Sequence, residues 1–356
     1  MVLAILSLAP SIAAGQTESA FFYRGYAYGS QANYNPLSLM MNGSFDVLQS
    51  SNRDKKLFTL QYGTGASNVF SNITSPLAEI SRDGWSNFLG TEIFPTSLDY
   101  QRSQYWPNYN LHLLGGGMTY VSIAEWYAFQ GYEYPKTLSA ATMLVYHYLN
   151  ETVEDNAYRG PTVDPIADLL VFDPLGIALF SIDGVPRFFS QTLEMADWSF
   201  QPIYNFRTRE LNNNGQNFTF KIPIPYSEKV RLLYIAGMEG VVGLSYRYNE
   251  TDAISFGGGL ATKDLVQVDN NTGVLVQTAT LVKVGGIFYD RNNSLLASLI
   301  IKNVATYKAR LNIYPGVFRF GDLSLGFVGI LQQDNSLTLG AFASFSPLGA
   351  GFSSAK

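Results

Sequence analysis

The chain has 356 residues, 23 of them Lys or Arg and 28 Asp or Glu, for a formal net charge of -5; charged residues make up 14% and aromatic residues the same 14%. Soluble domains average about 25% charged residues, so these charges are too few to solvate an ordinary globular surface, and 47% hydrophobic content excludes a disordered chain. Acidic balance without a Lys/Arg cluster excludes nucleic-acid binding, and the lack of cysteine removes disulfides, thiol catalysis, Cys-ligated zinc and iron–sulfur clusters.

The opening residues form an apolar run ending in small residues, with Ala13-Ala14-Gly15 as a cleavage context, and predict a signal peptide over 1–15 and therefore export. No later stretch reaches the roughly 20 apolar residues of a spanning helix. A membrane placement then requires a closed barrel, since only helices and barrels satisfy every backbone group in lipid. From 16 to 86 the apolar runs 21–28, 37–49 and 56–66 read as N-terminal strands.

Between 87 and 182 the period changes. Val121, Ile123, Ala124, Tyr127 and Ala128 recur at helical spacing and predict a helix over 118–131. Pro135 suits the first turn of a second helix running to about 155, with Leu138, Ala141, Val145, Leu149 and Val153 on one face. Thr162 is placed to cap a third, which Pro174 and Gly176 are expected to disturb. This helical insertion is too long for a turn between strands and is expected to plug or cap the barrel.

Both histidines, His112 and His147, lie in the insertion. His147, Glu151 and Glu154 share one helical face, as do Asp164 and Asp168. Asp168 and Asp173 interrupt an apolar run, where an unpaired carboxylate costs several kcal/mol. Their candidate partners are His112, His147, Arg159, Arg187, helix-start backbone donors or a metal. Three chemistries fit: buried polar ties that fix helix packing; a general acid/base or hydrolytic centre of His112, His147, Glu151, Asp164 and Asp168; or a divalent-metal site with imidazole and carboxylate ligands, without HExxH or EF-hand spacing. Gly115-Gly116-Gly117 opens no phosphate cradle and reads as room for close helix packing or a tight turn. Nothing in the sequence requires a cofactor.

From 183 to 356 the chain alternates. Phe218, Phe220, Ile222 and Ile224 face away from Asn217, Thr219 and Lys221; Leu244, Tyr246 and Tyr248 from Ser245, Arg247 and Asn249; Leu311 and Ile313 from Arg310 and Asn312; Leu337, Leu339 and Ala341 from Thr338 and Phe342. Turn signals such as Asn212-Asn213-Asn214-Gly215 and Asp290-Arg291-Asn292-Asn293 separate them. The non-oily face is Ser, Thr, Asn and Gly with scattered Arg and Lys, and Tyr246, Tyr248, Phe318, Phe320, Phe342 and Phe345 stand where an interfacial girdle would. Gly257-Gly258-Gly259 marks a bend or a place where the contents approach the wall. With the N-terminal strands, about 12 strands are expected, and the fold class is a transmembrane antiparallel β-barrel with an inserted α-helical segment.

His112-Leu-Leu-Gly-Gly-Gly, Glu125-Trp126, His147 with Glu151, Asp164-Pro-Ile-Ala-Asp168 and Asp173-Pro-Leu-Gly176 together resemble uncharacterised bacterial outer-membrane proteins that carry a His…Glu…Asp-x-x-x-Asp…Gly helical segment before a β-barrel. A looser similarity exists to small periplasmic lipoproteins with the same His, Glu, Asp order. The resemblance covers about 65 residues and implies an architecture, not an activity. The expectation is an outer-membrane component of a Gram-negative envelope, structural or binding, whose partners are outer-membrane lipid and other envelope proteins. The alternatives are an envelope- or lipid-directed hydrolase using His147 with Glu151 or Asp168, and a plugged pore or transporter.

Overall fold

The computed structural model describes residues 20–95, 104–157, 162–269, 275–302, 306–320, 323–344 and 346–354. The leader reading over 1–15, Arg159 and Phe345 lie outside the described residues. Helices come first: α1 (Gly29–Ala32), α2 (Pro36–Gly43), α3 (Tyr62–Thr74), α4 (Pro76–Asp83), α5 (Trp85–Phe88), α6 (Gly117–Phe129), α7 (Pro135–Glu154), α8 (Asp164–Ala167), α9 (Asp173–Phe180) and α10 (Gly184–Arg187). Wider π-turns extend them: Leu89–Ile93 follows α5, Trp106–Gly116 leads into α6, Asp168–Phe172 joins α8 to α9, and Phe188–Thr192 follows α10.

The three N-terminal strands expected over 21–28, 37–49 and 56–66 do not form. Asn35 caps α2, its Oδ1 accepting the Ser38 N–H at 2.9 Å, and Pro36 takes the first turn, so local chemistry starts a helix where the apolar run suggested a strand. The 21–28 segment is instead held as loop by Glu125, whose carboxylate accepts the backbone N–H groups of Phe21, Phe22 and Tyr23 at 2.5, 2.9 and 2.7 Å. Helical structure therefore begins near Gly29 rather than at 87. α6 and α7 match their predicted spans closely. The third predicted helix does not stop at Pro174. The π-turn at Asp168–Phe172 precedes the proline, and a widened turn absorbs the hydrogen bond and ring space that proline removes.

The strands are β1 (Ala196–Asp197), β2 (Ile203–Asn205), β3 (Glu210–Asn212), β4 (Asn217–Ile224), β5 (Ser227–Gly237), β6 (Glu239–Arg247), β7 (Asp252–Asp269), β8 (Leu275–Arg291), β9 (Ser294–Lys302), β10 (Ala309–Phe320), β11 (Leu323–Leu331), β12 (Leu337–Ala343) and β13 (Gly349–Ser353). They form one 13-stranded sheet in the order β1-β4-β5-β6-β7-β8-β9-β10-β11-β12-β13-β2-β3. From β4 to β13 it is a continuous antiparallel meander, and only the β13–β2 pairing is parallel.

Cross-strand partners share a face, so registry shows what each face carries. One row runs Ile222, Leu232, Leu244, Phe256, Ile287, Leu299, Leu311, Gly329, Leu339 and Phe352, from β4 to β13. Phe256, Ile287, Leu339 and Phe352 in it are 54%, 55%, 59% and 61% exposed. The next row, on the other face, runs Ser245, Ser255, Phe288, Ser298, Asn312 and Val328, all buried. This second face also holds the buried pairs Lys221–Asp290 and Lys302–Glu239, both at 2.7–2.8 Å, and Arg310, which donates to the carbonyls of Gln201 and Asn213. Phe342 turns inward and is 1% exposed, so it leaves the expected girdle, while Tyr246, Tyr248 and Phe318 stay outward.

Leu233, Val241, Ala261, Val284, Ile300, Tyr314 and Val328, drawn from seven successive strands, meet in one core with Trp198, Phe200 and Ile203. β4 and β8 stand four strand spacings apart, about 19 Å at about 4.8 Å each, yet Lys221 and Asp290 pair across them at 2.7 Å, so the sheet curls strongly. Gly257 and Gly259 lie at this bend: a Cβ on either would come within 2.7 or 1.9 Å of a β6 carbonyl, so the glycines serve the bend and not an approach by the helices. Among the described residues no ladder joins the two ends of the sheet, which is not closed into a barrel. In the segment from Trp198 to Gln216, β2 pairs with β13, and the Trp198 N–H donates to the Asn217 carbonyl of β4 at 2.8 Å. Helical residues back this segment: Asn42 Nδ2 donates to Phe200 O, and Asn213 Nδ2 to the carbonyls of Met41 and Asn42. α6, α9 and the turn after α10 pack Met118, Phe180 and Phe189 on Phe218 and Phe220 of β4. These side chains share the face of the exposed apolar row. The helical layer thus covers that face at β4 and also meets β9 and β10 through α1.

Candidate functional site

Three helical segments bring the site together. The π-stretch Trp106–Gly116 carries His112, α7 carries His147 and, one turn on, Glu151, and the π-stretch Asp168–Phe172 with the start of α9 carries Asp168 and Asp173. Close approach is built in by glycine. A Cβ on Gly176 would stand 2.7 Å from the Leu113 carbonyl, one on Gly117 2.3 Å from Phe180, and one on Gly115 2.3 Å from Phe218 of β4. The glycine triplet is therefore the packing device the sequence suggested. At Gly116 a Cβ would make ordinary contacts with His147 at 3.6 Å and Asp173 at 3.7 Å, so its backbone lies against the site.

Asp173 bridges the two imidazoles: its Oδ1 meets His112 Nδ1 at 3.1 Å and its Oδ2 pairs with His147 Nδ1. On its other side His112 Nε2 meets Asp168 Oδ2 at 3.3 Å. The rings stand edge to face with centroids 5.1 Å apart, and Tyr146 packs on His147. His112, Glu151 and Asp168 each offer a donor atom within 4.8 Å of the others, as do His112, His147 and Asp173. All five residues are 9% exposed or less, and among the described residues Asp168 Oδ1 has no hydrogen-bond partner. Among the described residues no Lys or Arg forms an ion pair with Glu151, Asp168 or Asp173.

Electrostatics follow from that geometry. Burial, with Asp168 and Asp164 nearby, pushes the Glu151 carboxyl well above its ordinary range. Burial does the same to Asp168, with His112 opposing it. Asp173 goes the other way: burial disfavours its charge, but the charge of His147 and hydrogen bonds from both rings hold it below the usual value. Burial likewise disfavours a charged His112, yet Asp168 and then Asp173 prevail and raise its pKa to about 10.

Four of the five residues nominated from sequence, His112, His147, Glu151 and Asp168, converge. Asp164 is the exception. It is half-buried one turn before Asp168 and belongs to neither donor set, although its charge is felt at His112. His147 is paired with Asp173 rather than with Glu151 or Asp168. Arg187 is exposed and supplies no ion pair among the described residues. Sequence reading missed Glu92, whose backbone carbonyl and carboxylate accept from Asn108 Nδ2 at 2.9 and 3.2 Å, and Asp46, which accepts from Asn150 Nδ2 at 3.0 Å. Burial, with Asp164 and Asp168, raises Glu92 well above its ordinary value, and burial raises Asp46 to about 6. No local spacing announces either residue; only the tertiary fold turns them inward.

No single helix among the described residues is long and apolar enough to cross a membrane. Comparison of the chain with protein-family models, curated proteins and solved structures finds no match.

Proposed function

We propose that this chain is an outer-membrane protein of a bacterial envelope, a structural or binding component whose curled sheet lies in the bilayer as a barrel wall. The apolar row crossing ten strands, exposed at eight of its positions from Leu232 to Phe352 and backed by a buried row rich in Ser and Asn, carries this reading. Water-soluble sheets bury the oily face; contiguous exposed apolar patches beyond a few hundred Å² mark a membrane or partner surface. Lipid tolerates no bare sheet edge. In the proposed arrangement the helical layer covers the edge at β4, backs the segment that ends the sheet with β2 and β3, and presents the His–carboxylate centre. A conduit reading draws no support: Trp198, Phe288 and Tyr314 on the concave face are each 2% exposed or less and belong to one packed core.

The test is purification of the full chain. The proposal expects extraction only with detergent, heat-modifiable electrophoretic mobility, and refolding into phospholipid vesicles with the sheet protected from protease. A folded monomer in detergent-free buffer refutes it.

A further inference from the structure

We infer that His112, Glu151 and Asp168 form a binding site for a divalent first-row transition ion of the zinc, iron or manganese type, with Asp173 and His147 behind His112 as positioning residues. This inference is independent of the membrane reading, since every donor lies in the helical layer.

Hydrogen bonding at His112 is the starting point. If Nδ1–H donates to Asp173, the Nε2 lone pair points at Asp168 Oδ2 from 3.3 Å, so two acceptors face each other. Only a proton or a cation makes that contact favourable. A proton between them satisfies Nε2 and Oδ2 but leaves Asp168 Oδ1, on a side chain 3% exposed, without a partner among the described residues, and adds nothing at Glu151, which is 1% exposed. A cation serves all three donors together, which already lie within 4.8 Å of one another. The His112–Asp168 separation suits such an ion. Two ligands bound tetrahedrally at about 2.0–2.1 Å stand about 3.3–3.4 Å apart, and His112 Nε2 and Asp168 Oδ2 are separated by 3.3 Å.

Ligand chemistry narrows the ion. One imidazole and two carboxylates, with no thiolate in the chain, favour borderline first-row ions over calcium or magnesium, which prefer all-oxygen shells. The support behind the ligand is also present. A metal-bound imidazole usually donates its other N–H to a carboxylate, which fixes its tautomer and orientation. Asp173 does this for His112 at 3.1 Å and is held in turn by His147 Nδ1. Three protein ligands leave coordination positions open for water or a small oxygen ligand.

The full chain, extracted and stripped with chelator, is titrated with Co(II) alone and with Zn(II) alone. The expected result is saturable, stoichiometric uptake with ligand-field absorption from cobalt and a raised unfolding temperature with zinc. Glu151→Gln and Asp168→Asn should weaken binding at least 10-fold, and Glu133→Gln, outside the site, should leave it unchanged. His147→Gln should weaken it less than either ligand variant, as expected of a residue acting through Asp173. Absence of stoichiometric binding by folded wild-type protein overturns the inference, and so does unaltered binding in folded E151Q and D168N. If those variants fail to fold, X-ray absorption of cobalt-loaded wild type decides: imidazole together with carboxylate oxygen in the shell supports the site, and an all-oxygen shell overturns it.

Discussion

An arginine placed in the exposed apolar row separates lipid from water by both the size and the sign of its effect. Ile287 suits the test. It is 55% exposed, flanked across the ladder by Phe256 and Leu299, and lies along β8 between Tyr289 and Lys283. In a bilayer, Arg on the lipid face of a β-protein costs about 2–4 kcal/mol near the midplane and about 0–1 near the interface. Ile287→Arg should then shift the folding equilibrium about 30- to 1000-fold. Tyr246→Arg, beside the polar turn that follows β6, should move it fivefold or less, on the order of 1 kcal/mol. In water neither change touches a buried contact, and both should stay within about 0.5 kcal/mol. Guanidinium titration of protein refolded in phospholipid vesicles, followed by tryptophan fluorescence and by heat-modifiable mobility, gives both values. Equal and near-zero costs at the two positions refute the claim that this face meets hydrocarbon.

Other substitutions probe the helical layer. Gly117→Val should lose about 1–3 kcal/mol or more by forcing its side chain into Phe180, whose ring would stand 2.3 Å from the new Cβ, whereas Gly116→Ala fits and should be near neutral; thermal unfolding of the pair checks this. Asp173→Asn removes the carboxylate shared by two buried imidazoles and should cost about 3–5 kcal/mol; an unfolding midpoint equal to wild type would show that the bridge carries no stability. In chelator-stripped protein the raised pKa of His112 makes its contribution fully present below its unfolded value of 6.5 and lost as pH rises towards about 10. The stability gap between wild type and His112→Gln should therefore be larger at pH 6 than at pH 10, and a gap that widens with pH contradicts the assigned partners.

The C-terminal half was legible because its two faces differ in kind. Alternation in 217–224, 244–249 and 337–341 reads directly, and the ladders place Leu244, Leu311 and Leu339 in one row as the alternation requires. Among the helices, α6 and α7 were readable from their spacing. The N-terminal segments were not, because 37–49 is apolar without a decisive period and the helix there is set by Asn35 and Pro36 at its start. Closure was also beyond reach: alternation is a property of each strand, whereas closing a barrel depends on what stands beside the first and last strands. At the site, buried carboxylates in an apolar run pointed correctly to the histidines. The particular pairing did not follow, since helical spacing joins His147 to Glu151 on one face and cannot show that Asp173, from another helix, reaches His147 first.

One helical stretch ties the site to the sheet. In Trp106–Gly116 and the first residue of α6, Trp106 Nε1 donates to the Gly237 carbonyl at the end of β5, Gly115 packs under Phe218 of β4, and His112 engages both Asp168 and Asp173. Gly115 lies one turn beyond His112, and a single added methyl there would collide with the Phe218 ring. Close-packed interfaces of this kind do not deform continuously, so the ring cannot shift by much unless β4 shifts with it. β4 is also the last long strand before the break in the ladder, carrying only the two-residue β1 on its outer side. Whatever balances the buried carboxylates, a proton or a metal ion, therefore acts on the edge where the curled sheet depends on helices rather than on another full strand. That is a physical reason for a polar centre to stand in this layer despite its burial cost: its bonds are directional, and through His112 and Asp173 they tie the stretch that holds the edge to α7 and α9.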